Sequence, residues 1–354
     1  MCLLVLIKGS FKRIEPTAAA IIMANGIFLI GAIEAFPFLN DRLGKILAFL
    51  LLISWIVIYI RLSVQFFHHQ FLIPFLKNPI HSFAMGTWIA GVSVLCNVFL
   101  KYYPSMIIVT QAMALINTLL WVFFLTMCFY NFKQILFNDQ KYPVHGILLL
   151  STVGTQSIIV LLNNVFFQLP MMVSSLIITL GFLFYLIGAS LIVNRYALKR
   201  GWTLVDDWAN TNCILHGALS ITGLAIVSSN TFTSAFVAVL WVVIFILLVI
   251  VETIEIFRAV LRVKRYGWNK GLFNYHITQW SRNFTFGMFY AFTLFVHKNP
   301  SYVIPVPLQA FQVQFLSFWS VIVLLTLLGQ IGVYLKYRLE KRALWAKMSR
   351  SISG

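Results

Sequence analysis

The sequence predicts an all-α integral membrane protein, and three observations carry the prediction. Hydrophobic residues make up 60% of the 354 and charged residues 10%, far from the mix of a soluble domain. Apolar stretches of about 20 residues, the length a helix needs to cross the hydrocarbon core, recur along the whole chain. The Lys and Arg residues collect in alternate breaks between those stretches. No break is long enough to fold as a separate domain.

Ten stretches qualify as spans: 17–36, 44–63, 82–100, 105–128, 144–163, 170–192, 208–228, 233–256, 278–296 and 313–336. The N-terminal tail, the breaks after spans two, four, six and eight, and the basic tail 337–354, counted with the span edges, hold 21 of the 26 Lys and Arg residues. The opposite breaks hold 4, and Arg282 lies inside span nine. Short loops rich in Lys and Arg stay cytoplasmic, so both termini are expected inside a multi-pass protein of the plasma membrane. The net charge of +17 is then a topology signal and implies contact with inner-leaflet lipid, not a nucleic-acid partner. Cys2–Ile7 is too short for a signal-peptide core, so span one is expected to direct insertion. Cys2, Cys96, Cys128 and Cys213 show no CxxC spacing, and His68–His69 has no third ligand at a suitable distance along the chain. No metal or cofactor is expected. The segment after span ten reads as a basic helix along the inner membrane surface.

Odd and even spans differ. Span three places Ser82, Gly86, Ala90, Ser93 and Asn97 on one helical face. Span seven does the same with Asn212, His216, Ser220 and Gly223, and span five clusters Ser151, Thr152, Gly154, Thr155, Gln156 and Ser157. Span one carries Ala20, Ala24 and Gly31 along one stripe, with Gly26 beside it. Span eight, by contrast, runs from Ala235 to Val251 without one polar side chain. Small and hydroxylated residues let membrane helices pack closely; repeated on the odd spans, they also predict an inner ring with the even spans outside. Odd spans start at 17, 82, 144, 208 and 278, a regularity that points to five repeated helical hairpins. Five parallel helix N-termini under basic loops would make a cytoplasmic mouth attractive to anions.

Several segments resemble one known family. Pro16-Thr17-Ala18 opens span one, followed by Met23-Ala24-Asn25-Gly26; Asn78-Pro79-Ile80-His81-Ser82-Phe83 leads into span three. Leu148-Leu149-Leu150-Ser151-Thr152-Val153 opens span five, His216-Gly217-Ala218 lies in span seven and Phe284-Thr285-Phe286-Gly287 in span nine. In this order, with ten spans and internal termini, the chain resembles the tellurite-resistance/dicarboxylate transporters of the slow-anion-channel-like, voltage-dependent anion channel superfamily. That family includes plant guard-cell slow anion channels and fungal malate and sulfite transporters. The resemblance implies five hairpins with odd helices around a central pore, a homotrimer, and a pore plugged by a Phe of span nine, here Phe286. The chain departs from relatives that bend inner helices at proline: spans three, five, seven and nine have none, leaving Gly86, Gly154, Gly217 and Gly287 as candidate bends.

Phe286 is also about 12 Å into its span at 1.5 Å per residue, near the midplane, where a hydrophobic constriction separates two vestibules best. Phe289 shares its side and would extend the constriction, while Phe284 points elsewhere and reads as packing. Arg282 either snorkels to the interface or attracts anions into the inner vestibule. His216 either bonds a neighbouring helix or contacts the permeating anion or a proton. Gly86, Ser93, Thr155, Asn212 and Ser220 complete the pore-lining candidates. Glu252 and Glu255 with Arg258, and Glu34 at the other end, read as interfacial charges. The leading function is therefore a channel or facilitative transporter for small inorganic anions or C4-dicarboxylates. An ion-coupled carrier would need a coupling residue, for which His216 is the mid-membrane candidate. A membrane enzyme acting on lipids would need paired Asp, Glu or His, and the nine acids form no such motif.

Overall fold

Every stretch read as a span is helical in the computed structural model, which describes residues 14–67, 69–137, 142–166, 169–198 and 201–352. Ten helices carry the fold: α1 (Ala20–Ile30), α2 (Gly44–Phe66), α3 (Met85–Tyr102), α4 (Ile107–Phe137), α5 (Leu150–Val165), α6 (Met171–Leu198), α7 (Ile214–Ser229), α8 (Ser234–Gly271), α9 (Trp280–Lys298) and α10 (Val306–Ile352). A short helix, His69–Lys77, joins α2 to α3. No strand occurs among the described residues. The protein is an all-α membrane protein.

The odd helices close on one another. α1 packs on α3, α3 on α5, α5 on α7, α7 on α9, and α9 back on α1. α2, α4, α6 and α10 each lie over the groove between two members of this ring, and α8 lies on α7. Burial follows: 89% of the most apolar window is buried in the helices of α3, α5 and α7, against 17–39% in the outer five. The outer faces carry Ile108, Leu119, Val239 and Leu325 exposed, the composition of a surface solvated by acyl chains.

All five inner helices open the same way. Each α-helix is preceded by a 3-10 turn: Pro16–Ala19, His81–Ala84, Gly146–Leu149, Asn210–Cys213 and Ile277–Gln279. The repeat seen in the spacing of the odd spans thus extends to the geometry of helix initiation. The inner glycines sit where neighbouring helices come closest. A Cβ on Gly86 would overlap the Leu150 carbonyl, and one on Gly217 would overlap the Thr285 side chain. The glycines let neighbouring backbones touch, which is how membrane helices gain contact when lipid is as apolar as the helix itself.

The helices differ from the spans read in the sequence in length and in hydropathy. Eight described helices are long and apolar enough to cross a membrane by themselves. The first inner helix is shorter, Pro16–Ile30, because the chain breaks at Gly31 into a second 3-10 turn, Ala32–Ala35. α9 is not among the eight; it carries Arg282, Asn283 and His297 and takes its place through packing. The basic tail continues α10 as unbroken helix to Ile352, instead of forming a separate surface segment.

Candidate functional site

Two sets of cavities lie at opposite ends of the ring. At its N-terminal end a cavity of about 650 Å³ is bordered by residues of all five 3-10 turns, among them Thr17, His81, Ile147, Thr211 and Thr278. At its C-terminal end a cavity of about 310 Å³ is lined by Ile27 of α1, Ser93 of α3, Ser157 of α5, Ile221 of α7 and Met288 of α9. A further space of about 670 Å³ shares Ile30, Asn97, Asn164 and Phe295 with it and adds Glu34 and Lys101. One turn from this lining, towards the N-terminal end, stand Met23, Ala90, Val153, Ala218 and Phe284, on the faces of the residues that border the cavity. All are apolar and nearly inaccessible. This apolar set is the neck, lying along each inner helix between the residues that border the two spaces.

The N-terminal cavity is charged but balanced. Arg195, Arg258, Arg262 and Arg282 line it together with Glu15, Asp206, Asp207 and Glu255. Arg282 bridges α9 to α8: its Nε lies 3.2 Å from Glu252 Oε2 and its Nη2 2.9 Å from Glu255 Oε1. Glu255 also accepts from Trp208 Nε1 at 2.9 Å and lies 3.5 Å from Arg258, whose Nη1 donates to Asn210 Oδ1 at 2.7 Å. Glu255 and Arg258 are buried, and the pair read from sequence extends into an internal network with Arg282, Trp208 and Asn210. Sequence reasoning missed the link across 27 to 30 positions, although an arginine within a span calls for a counter-charge. Just before α5, His145 Nδ1 lies 2.8 Å from the Thr211 hydroxyl.

The sequence-chosen residues divide by helix face. Ser93 borders the C-terminal cavity and accepts from Asn117 Nδ2 of α4 at 3.0 Å. Thr155 accepts from Trp121 Nε1 of α4 at 3.3 Å. Asn212 Oδ1 accepts from the Gly146 N–H at 3.0 Å, tying the start of α5 to that of α7. Ser220 donates to the His216 carbonyl at 2.8 Å. Gly86 sits in the α3–α5 contact. These polar groups thus serve contacts within and between helices, as unpaired groups inside a bilayer are costly. His216 is fully buried; its Nε2 is 3.7 Å from Glu252 Oε1, an electrostatic contact longer than a hydrogen bond.

Phe286 packs between His216, at 6.2 Å between ring centroids, and Trp319 of the outer helix α10, at 5.0 Å. Trp319 Nε1 also donates to the Phe286 carbonyl at 3.1 Å. Phe289 contacts Trp241 of α8 and Phe315 of α10. The opposite face of α9 carries Met288 and Phe295 to the C-terminal cavity, and Phe284, one turn before Met288, shares that face.

At the C-terminal end Glu34, Lys101 and Lys298 meet. Lys101 Nζ donates to Glu34 Oε1 at 3.1 Å and to the Leu29 and Ile30 carbonyls at 2.9 and 3.2 Å; Lys298 Nζ donates to Glu34 Oε2. Among the described residues no group of His, Cys, Asp or Glu could hold a metal, and Cys96, Cys128 and Cys213 are free and buried; Cys2 and His68 lie outside the described residues. No curated protein matches the chain. The family model described as voltage-dependent anion channel matches residues 13–335, which takes in all five inner helices, both cavities and the neck between them. The chain belongs to the voltage-dependent anion channel family.

Proposed function

We propose that the protein is an anion channel or facilitative transporter of the plasma membrane, with ten helices crossing as five hairpins, the odd ones around the conduit, and both termini cytoplasmic. One observation carries the reading: two cavities at opposite ends of one closed ring, each bordered by all five inner helices, with an apolar neck between them. The charge asymmetry of the loops places the N-terminal end of the ring inside. There, five helix starts present N–H groups and partial positive charge to an arriving anion. At the far end the side-chain amides of Asn97, Asn164 and Asn230 offer neutral donors, weak enough to release what they hold. The neck offers none, so passage requires its side chains to move. Small inorganic anions and C4-dicarboxylates both suit this lining. Family membership favours transport over lipid chemistry, and the resemblance implies a homotrimer.

Helix α9 supplies the moving part. The resemblance assigns the gate to Phe286, which would have to leave the cleft between His216 and Trp319 to reach the axis. The helix faces favour Phe284. Planar-bilayer currents of the purified protein with exchanged anions decide both questions. Linear anion-selective unitary currents establish a channel; silence with saturable liposome uptake establishes an ion-coupled or uncoupled carrier, for which a closed neck is equally suitable. Opening the neck should raise anion flux on the order of tenfold or more, the effect of removing about 1.4 kcal/mol from a barrier. If Phe284→Ala gives that rise and Phe286→Ala does not, the gate is Phe284; the reverse result returns it to Phe286. Parental flux in both variants removes α9 from the gate.

A further inference from the structure

We infer that Lys101 and Lys298 form an anion-binding subsite at the outer end of the conduit, and that Glu34 is its resident counter-ion, competing with small anions that arrive from outside. The inference rests on the conduit reading and adds to it the groups that hold an anion at the outer mouth. Glu34, Lys101 and Lys298 are the charged residues bordering the C-terminal cavities. Each comes from a different part of the ring: Glu34 from the 3-10 turn after α1, Lys101 from the last turn of α3, and Lys298 from the last turn of α9. One carboxylate facing two ammonium groups leaves the mouth with a net positive charge.

The two lysines are held differently. Lys101 is fixed, because it also satisfies the Leu29 and Ile30 carbonyls that α1 leaves open where it ends at Gly31. Lys298 is half exposed, at 51%, and Glu34 is the partner it has among the described residues. A carboxylate and a small anion present the same charge and the same acceptor chemistry to an ammonium group. An anion leaving the neck can therefore displace Glu34 from Lys298 without moving Lys101. Donors for the remaining acceptor positions stand beside it in the Asn230 amide and the second N–H of Asn164, whose first N–H donates to Asn97 Oδ1.

The experiment is chloride titration of the full-length protein in planar bilayers, varying the outer concentration. Glu34→Gln should lower the half-saturating outer chloride roughly fivefold, as two ammonium groups lose their competitor. Lys298→Gln should raise the half-saturating concentration. Parental half-saturation in Glu34→Gln overturns the inference while leaving the conduit reading intact. A parent silent in bilayers bears on the conduit reading instead, and the subsite is then read by chloride protection against thermal unfolding in detergent. Protection at lower chloride in Glu34→Gln than in the parent supports it; identical protection overturns it. Should Glu34→Gln fail to fold, Lys298→Gln carries the test, and an unchanged chloride requirement sinks the subsite.

Discussion

At the N-terminal end of the ring Arg282 is clamped by Glu252 and Glu255, inside a cavity where four arginines face four carboxylates. At the C-terminal end two lysines share Glu34. The first set is woven into the contact between α8 and α9, and its charges cancel. The second is partly open, and one positive charge is left over. The end flanked by most of the basic residues is therefore not the end whose lining side chains carry net charge. Under the proposed orientation, attraction at the inner mouth would fall to helix starts and to the surrounding loops, and the side-chain charge available to an anion would sit at the outer one.

The difference can be broken most forcefully at Arg282. Replacing it by Met leaves Glu252 and Glu255 without their shared partner, and breaking a buried pair on one side typically costs about 3–5 kcal/mol. Thermal unfolding in detergent should show that loss in Arg282→Met, with partial recovery when Glu252→Gln is added; full stability in the single variant would mean the clamp holds nothing. Lys298→Met at the other end should lose less than about 1 kcal/mol, as expected of an exposed pair. Asn212→Ala comes next, since it strips the acceptor from the buried Gly146 N–H, a loss of about 1–3 kcal/mol measurable in the same melts.

Conductance sharpens the comparison in the opposite order. Lys298→Gln should reduce inward anion current about twofold at low salt and less at high salt, because screening already weakens its field there. Arg282→Gln, if stable enough to record, should alter the salt dependence little, its charge being neutralised by two carboxylates. A strong low-salt effect of Arg282→Gln would restore it as an anion attractor and reverse the roles of the two ends. The smallest effect is expected from His216→Ala: His216 borders neither cavity, so the pH dependence of transport should not change.

Much of the fold was legible in the chain. Span positions, the regular spacing of odd spans and the alternation of polar-striped with plain helices all follow from local pattern, because a bilayer demands a continuous apolar run for each crossing. The candidate site was less legible. Gly86 and Ser93 lie on the same polar stripe, yet Gly86 meets Leu150 of the neighbouring helix while Ser93 borders the cavity. Periodicity identifies which residues share a face and leaves open whether that face meets a neighbour or the axis. Phe284 and Phe286 are separated in the same way: two residues apart, they differ in what surrounds α9, not in composition.

The sequence by itself determined that this protein is helical and membrane-embedded, since those properties depend on hydropathy and spacing along the chain. Only the tertiary structure decided which charges meet. Arg282 with Glu252 and Glu255, and Glu34 with Lys101 and Lys298, are joined across separate helices. Electrostatic partnership acts through space over a few ångströms, and nothing in the order of residues sets those distances until the ring has closed.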